Sequence, residues 1–195
     1  DNNGIIYIAN NEGLLTFDGR NWNLYPLPNR TIVRSIEITQ DGKIYVGGQD
    51  ELGYFIPGQN GLLQYHSLVP YMNSKDKSFG DVWDIVFYKN EIFFRTLYKL
   101  FRFTNNSFAS YIAPSEWSFL GLSNGRLYAH DLVSGIMSFD NNIWEPLFEK
   151  NTLPLNDPVT GILSIEKTYS LITTLKNGIY TLSATGTTKL QSVNN

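Results

Sequence analysis

Residues 42–55, Gly42-Lys43-Ile44-Tyr45-Val46-Gly47-Gly48-Gln49-Asp50-Glu51-Leu52-Gly53-Tyr54-Phe55, contain two short apolar runs separated by a polar turn. The same arrangement occurs five times in the 195-residue chain. Successive copies lie 38, 48, 35 and 44 residues apart, measured between Ile6, Ile44, Ile92, Leu127 and Leu171. A β-rich unit that recurs every 40 to 50 residues or so is typical of a propeller blade.

The segments between the turns have the composition of β-strands, and no segment predicts a helix. The chain contains 12 Tyr, 12 Phe and 4 Trp, and aromatic residues favour pleated, half-buried surfaces. In residues 32–38, apolar and polar side chains alternate as they do in a strand with one buried face. Asp-Gly and Asn-Gly pairs separate the runs and supply the positive φ angles of tight hairpins. The best single hairpin is Gln40-Asp41-Gly42-Lys43, which joins Ile38 to Ile44.

The longer connections that contain proline place the boundaries between blades. We predict an all-β chain in which residues 1–195 form one β-propeller segment of four-stranded antiparallel blades. Complete blades are expected at about 32–67, 82–112, 117–148 and 159–191, and residues 5–26 supply three strands of a blade without its first strand. Because propellers usually close with four to eight blades, we expect this segment to be part of a larger propeller. The polar segment 70–78 is predicted to be the most mobile insertion.

Composition excludes several classes of function. The net charge is −3, with 15 Lys and Arg against 18 Asp and Glu, so no basic face is available for nucleic acid. No apolar run approaches the roughly 18 residues of a membrane span, and we expect no membrane contact by this segment. The chain has no cysteine, which removes disulfides and thiolate sites but does not decide the compartment. It opens with Asp1-Asn2-Asn3, and we expect that upstream sequence has been removed.

Three segments resemble a known repeat. Residues 4–19 fit the pattern Gly-x-Ile-Tyr-Ile-Ala-x-x-x-Gly-Leu-x-x-Phe-Asp-Gly, which resembles the two-component regulator propeller repeat of Bacteroidetes sensors. Residues 42–55 and 81–94 are similar to the version that precedes a triple-tyrosine domain. The resemblance implies a periplasmic sensory propeller in an inner-membrane protein. It also implies that further blades, a triple-tyrosine domain, and a histidine kinase or DNA-binding output belong to the same polypeptide.

Catalytic and metal-binding patterns are weak. The two histidines, His66 and His130, stand alone, so we predict no metal site and no cofactor. No nucleophile elbow, P-loop or dinucleotide fingerprint occurs in the sequence. Carboxylates from different blades could still converge for glycoside hydrolysis, and Asp50-Glu51, Asp84 and Asp131 are the candidates. Asp50-Glu51 is more simply interpreted as a solvated turn.

Topology gives the candidate ligand contacts. Propellers usually bind ligands on the face that carries the inter-blade connections and the turn after each second strand, because loops on a rigid scaffold carry recognition. Trp83 is added because it lies at the start of an inner strand, whereas the other tryptophans are expected to pack. A mixed polar set suits sugars or peptides better than a metal or a phosphate. The candidate ligand-binding residues are Asn10, Gln49, Asp50, Trp83, His130 and Asp131.

Three functional hypotheses remain open. The first is a non-catalytic sensory module of a bacterial regulator, with a carbohydrate (an oligosaccharide) as its ligand. The second is a fragment of a propeller-type glycoside hydrolase or lyase, which needs two convergent carboxylates. The third is a structural segment or a homodimer that uses exposed strand edges as contacts. The absence of a recognisable catalytic constellation favours the first or the third, and of these we adopt the first.

Overall fold

A computed structural model of the chain describes residues 1, 3–59, 61–147, 153–154, 156–167, 169–183 and 191–192. These residues contain 19 β-strands and two short 3₁₀ helices. The chain divides into two compact units, Asp1–Tyr111 and Ile112–Asn195. Neither of the described 3₁₀ helices has the length or hydropathy that a bilayer-crossing helix needs.

The first unit contains three antiparallel sheets, which are made of strands consecutive in sequence. The first sheet has three strands, β1 Ile6–Asn10, β2 Gly13–Phe17 and β3 Trp22–Tyr25. The second has four, β4 Val33–Ile38, β5 Ile44–Gly48, β6 Leu52–Pro57 and β7 Leu63–Ser67. The third has four, β8 Asp84–Tyr88, β9 Glu91–Arg95, β10 Lys99–Thr104 and β11 Ser107–Ile112. The 3₁₀ helices Val69–Tyr71 and Ser74–Asp76 connect the second sheet to the third.

The second unit contains two further antiparallel sheets of four consecutive strands. One has β12 Trp117–Ser123, β13 Arg126–Asp131, β14 Gly135–Asp140 and β15 Ile143–Pro146. The other has β16 Val159–Glu166, β17 Tyr169–Thr174, β18 Ile179–Ser183 and β19 Gln191–Ser192.

Four sheets of four strands and one of three confirm the predicted fold class, a partial β-propeller. The predicted blade end at residue 148 lies outside the described residues, as do parts of the predicted connection 149–158. The prediction that residues 1–195 form one segment stays a prediction. The insertion 70–78 is partly helical, and its predicted mobility stays a prediction. It holds most of both 3₁₀ helices, and Met72 is 5% exposed within a core cluster.

The continuous apolar runs of the second strands have a direct packing explanation. In β5, Ile44 and Val46 pack in a cluster with Leu14 of the first sheet. Tyr45, which points to the opposite face, packs in a different cluster with Phe94 of the third sheet. Because such a strand is covered on both faces, it has no polar alternation, unlike a strand with one solvated face.

The first sheet is covered on one face only. Its outer face carries Ile6 and Trp22, which are 53% and 58% exposed, and Trp22 stacks on Phe17 with ring centroids 4.5 Å apart. Leu24, on the same face, is 46% exposed. In a propeller, adjacent sheets pack face to face, so this is the face that another blade would cover.

Candidate functional site

Backbone hydrogen bonds to the second and third sheets hold Trp83 at the start of the third sheet. The Val82 amide donates to the Gly48 carbonyl (3.0 Å), and the Trp83 amide donates to the Arg95 carbonyl (2.8 Å). Val82 is fully buried and packs against Gly47. A Cβ added to Gly47 would overlap the Val82 side chain. Because neighbouring side chains in an extended segment point to opposite sides, Trp83 turns outward and is 44% exposed.

Arg34 lies over this indole and is linked to Asp81, which in turn forms a backbone bridge with Gln49. The Arg34 guanidinium carbon lies 4.9 Å from the centre of the Trp83 ring, a cation–π distance. Its Nε donates to Asp81 Oδ1 (3.3 Å), and Asp81 forms an isolated antiparallel bridge with Gln49. We name this group of four residues the Trp83 surface.

Asp50 fixes the loop beside the Trp83 surface. Its Oδ1 accepts hydrogen bonds from the amides of Phe79 and Gly80, each at 2.7 Å, and its own amide donates to the Gly80 carbonyl (2.9 Å). Its φ of 52° lies in the left-handed region, which Asp tolerates better than most residues. The structure therefore brings three predicted residues, Gln49, Asp50 and Trp83, into one neighbourhood, in which Asp50 ties the second-strand turn to the inter-sheet connection.

The neighbouring carboxylate corrects the expectation of a solvated turn at Asp50-Glu51. Glu51 is 8% exposed, and its Oε1 accepts hydrogen bonds from Tyr65 Oη (2.9 Å) and Ser67 Oγ (2.7 Å). Burial and the nearby Glu51 carboxylate raise the pKa of Tyr65, so this phenol remains the proton donor. Asp84, another carboxylate considered for catalysis, pairs with the Arg95 guanidinium.

Asn10 belongs to the turn between β1 and β2. Its Oδ1 accepts a hydrogen bond from the Glu12 amide (2.9 Å), which is the usual turn-stabilising bond of an Asn side chain. Asn10 carries this bond in the first sheet, and the Trp83 surface is built from the second sheet and the start of the third. Ligand contact by Asn10 stays a prediction.

His130 and Asp131 lie at the end of β13 in the second unit, and both are buried, at 2% and 0% exposure. His130 Nδ1 is 2.6 Å from Ser118 Oγ. Burial lowers the pKa of His130 to about 4, against the opposing influence of the Asp131 and Asp157 charges, so the imidazole is neutral at pH 7.

Asp131 accepts four hydrogen bonds. The donors are the Ser115 amide (2.8 Å), Ser115 Oγ (2.9 Å), the Val133 amide (3.1 Å) and the Ser134 amide (2.7 Å). Burial raises the pKa of Asp131, but the hydrogen bonds from Ser134, Ser115 and Val133 outweigh it, and the pKa falls below its ordinary value. Direct contact of His130 or Asp131 with a ligand stays a prediction, and the bonds show Asp131 fastening two loops.

Sequence reasoning missed further groups that make the same kind of tie. Asp157 accepts hydrogen bonds from the amides of Lys176 and Asn177, each at 2.9 Å, in the turn that follows β17. Asp76, 5% exposed, pairs with Lys99 Nζ at 2.7 Å. The available signal was positional, because each carboxylate lies in a connection before a first strand or in the turn after a second strand. Nothing in the sequence indicated a role for Arg34, because its partner Asp81 is 47 positions away.

Within the described residues, no group of three or more His, Asp or Glu side chains could hold a metal ion. The prediction of no metal site and no cofactor is therefore left as it stands. The polar groups of the Trp83 surface are suited to hydrogen bonding and stacking.

Comparisons with known proteins bear on the fold. No protein-family model matches the chain, and no curated protein matches it by sequence. Virginiamycin B lyase from Staphylococcus aureus has a similar structure, with a TM-score of 0.73, 16% identity, and coverage of 100% of this chain and 68% of the lyase. The WD40 β-propeller domain of Doa1 gives a TM-score of 0.70 at 10% identity, and the match covers 96% of this chain and 64% of that domain.

The extracellular domain of BT4673 from B. thetaiotaomicron, assigned as a hybrid two-component system, is also similar. Its TM-score is 0.74 at 16% identity, and the match covers 98% of this chain. The chain spans about a quarter of that domain's length, 26%. At these identities the likeness establishes the fold and not the activity. The chain has a partial β-propeller fold, and its described residues form four four-stranded sheets and one three-stranded sheet.

Proposed function

We propose that this chain is a non-catalytic ligand-recognition segment of the sensory propeller of a bacterial two-component or transcriptional regulator, and that the ligand is a carbohydrate. The Trp83 surface is the observation that carries the proposal, because it presents a partly exposed indole with the Arg34 guanidinium against its ring. The likeness to the extracellular domain of a two-component system supports the sensory part of the proposal. The proposal includes a periplasmic location within an inner-membrane protein.

The chemistry of the Trp83 surface suits a sugar ring. An indole is a broad apolar face against which the C–H face of a pyranose can stack, and polar groups at its rim can fix the orientation of a ligand. Within the described residues, neither the terminal guanidinium nitrogens of Arg34 nor the side-chain amide of Gln49 has a hydrogen bond. These donors and acceptors are available to sugar hydroxyls beside the exposed ring.

The remaining parts of the proposed protein lie outside this chain. We propose that further blades and a triple-tyrosine domain complete the sensor, and that a histidine kinase or a DNA-binding domain provides the output. Since the segment is proposed to recognise and not to convert its ligand, incubation with a bound oligosaccharide should leave the oligosaccharide intact. Product formation detected by chromatography would favour the hydrolase or lyase hypothesis.

The test is a calorimetric titration of the complete 195-residue chain with maltohexaose, cellohexaose, xylohexaose and mannohexaose. Trp83→Ala should weaken the binding of whichever sugar binds by tenfold or more, because it removes the stacking face. Trp22→Ala is the matched control, since Trp22 is also an exposed indole of the first unit, and it should bind like the wild type. Equal affinities for the two variants would remove the Trp83 surface from the proposal, and no binding by any oligosaccharide would contradict the carbohydrate response.

A further inference from the structure

We infer that a cleft between the first and second sheets of the first unit is a separate binding site for an uncharged saccharide of one or two rings. The cleft has a volume of about 630 Å³, within the range of small-molecule sites. It is lined by Ile38 and Ile44, at the end of the second sheet opposite to Arg34 and Gln49. The inference stands apart from the proposed function, because it uses none of the residues of the Trp83 surface.

One wall of the cleft is a row of polar side chains across the first sheet. Tyr7 of β1 pairs with Thr16 of β2, and Thr16 pairs with Asn23 of β3. Residues that are directly opposite in an antiparallel sheet share a face, so the three side chains lie side by side. Tyr25, two positions after Asn23, is on the same face, and all four residues line the cleft.

The facing wall is mainly apolar. Ile38, Ile44 and Leu63 of the second sheet line it, and Gln40 adds an amide from the turn after β4. A polar wall opposite an apolar wall matches the two kinds of surface that a pyranose presents, hydroxyl groups around its rim and C–H groups on its faces. The walls alone therefore favour a saccharide over a purely apolar ligand.

The polar groups of the cleft are largely unused by the protein. Within the described residues, the Tyr25 hydroxyl and the side-chain amides of Asn23 and Gln40 make no hydrogen bond. Tyr7 Oη donates to Asp1 Oδ2 at 3.1 Å, and Thr16 Oγ1 donates to the Asn23 carbonyl at 3.5 Å. This contrasts with Asp131, whose four hydrogen bonds go to its own loops. Free hydroxyl and amide groups that line one cleft can bind a ligand that both donates and accepts.

The charged side chains of the cleft disfavour acidic sugars. No Lys or Arg is among the lining residues, whereas Asp1 and Asp18 are. The hydrogen bonds from Asn21 and Arg20 lower the pKa of Asp18, so this carboxylate is ionised at neutral pH. Asp18 accepts three hydrogen bonds from its own turn, whereas the groups of the cleft that make no hydrogen bond are neutral hydroxyls and amides. These neutral groups match an uncharged saccharide, which needs no charged partner.

The test is a ¹H–¹⁵N NMR titration of the complete chain with cellobiose and maltose, and with glucuronate and glucosamine as charged probes. The neutral disaccharides should shift the resonances of Asn23, Tyr25 and Gln40. Tyr25→Phe keeps the ring contact with Phe55 and removes the hydroxyl alone. It should weaken binding about three- to tenfold, the value of one hydrogen bond, and Asn23→Ala should do the same.

Tyr71→Phe is the matched control, because it removes an exposed hydroxyl from a residue that does not line the cleft, and its affinity should stay within about twofold of the wild type. Shifts confined to the Trp83 and Gln49 resonances, with wild-type affinity for Tyr25→Phe and Asn23→Ala, would overturn the inference and leave the proposed function standing. Shifts confined to the cleft, with hexaose binding indifferent to Trp83→Ala, would support the inference and remove the Trp83 surface from the proposal. Stronger binding of glucuronate or glucosamine, or no shift with either disaccharide, would also overturn the inference.

Discussion

Replacing Asp131 should destabilise the second unit, because this side chain fastens two loops from a fully buried position. Asp131→Ala removes the acceptor of four hydrogen bonds, three from backbone amides and one from Ser115 Oγ. At about 1 kcal/mol for each net hydrogen bond, the loss is about 4 kcal/mol. Val133 is 51% exposed, so water can replace part of one bond, and we expect about 3–4 kcal/mol.

Urea unfolding followed by far-UV circular dichroism measures this loss. For a slope of about 2–3 kcal/mol/M, the midpoint should fall by roughly 1–2 M. Asp131→Asn keeps one oxygen acceptor and should lose about half as much. Asp140→Ala is the control, because Asp140 is an exposed carboxylate at the end of β14 in the same unit, and it should lose less than about 1 kcal/mol. If Asp131→Ala were no less stable than Asp140→Ala, the fastening role would be refuted.

The same bonds predict a pH dependence. The pKa of Asp131 in the folded chain is below its ordinary value of 3.8, so the unfolded chain takes up this proton first as the pH falls. The stability that ionised Asp131 contributes is therefore complete above about pH 4 and is lost as the pH falls through the folded pKa. The stability difference between the wild type and Asp131→Asn should shrink in that acid range and stay constant above it.

Two further outcomes are expected. Since burial lowers the pKa of His130 from 6.5 to about 4, its NMR titration should have a midpoint near pH 4. Below pH 6.5 the unfolded chain binds a proton at residue 130 that the folded chain does not, so the free energy of unfolding should fall by up to about 3 kcal/mol between pH 6.5 and pH 4. His130→Gln should not show this fall. An NMR midpoint above pH 6 would contradict the burial of His130. Trp117 is 1% exposed, so Trp117→Ala should lower the free energy of unfolding in urea by about 3–5 kcal/mol. Trp22 is 58% exposed, so Trp22→Ala should lower it by less than about 1 kcal/mol. Equal losses would show that the two indoles do not differ in burial as described.

The architecture could be predicted because its signal repeats. Each second strand is covered on both faces, so it must be a short continuous apolar run, as Ile44-Tyr45-Val46 is. The turns need residues that tolerate positive φ, and Gly42 and Asn124 have φ of 80° and 48°. Both requirements act over a few residues and are visible in any one copy. Because the pattern occurs five times, the sequence also indicates that one blade is the repeating unit, and the structure has one sheet for each copy.

The candidate sites were less accessible to sequence reasoning. Trp83 was predicted from its place before an inner strand, but Arg34 joins it only because the second and third sheets lie side by side. Glu51 was expected in solvent, yet Tyr65 and Ser67 of β7 bury it with two hydrogen bonds. Such contacts involve partners more than ten positions away, and no local pattern specifies them.

The sequence by itself determined the all-β class, the repeat and the positions of its turns, because strand burial and turn geometry depend on neighbouring residues. Only the tertiary structure decided which polar groups form hydrogen bonds within the protein. It fastens Asp50 and Asp131 to loop amides and leaves the Trp83 indole and the Tyr25 hydroxyl open. The physical reason is that a hydrogen bond depends on distance and direction between two groups, and packing sets both.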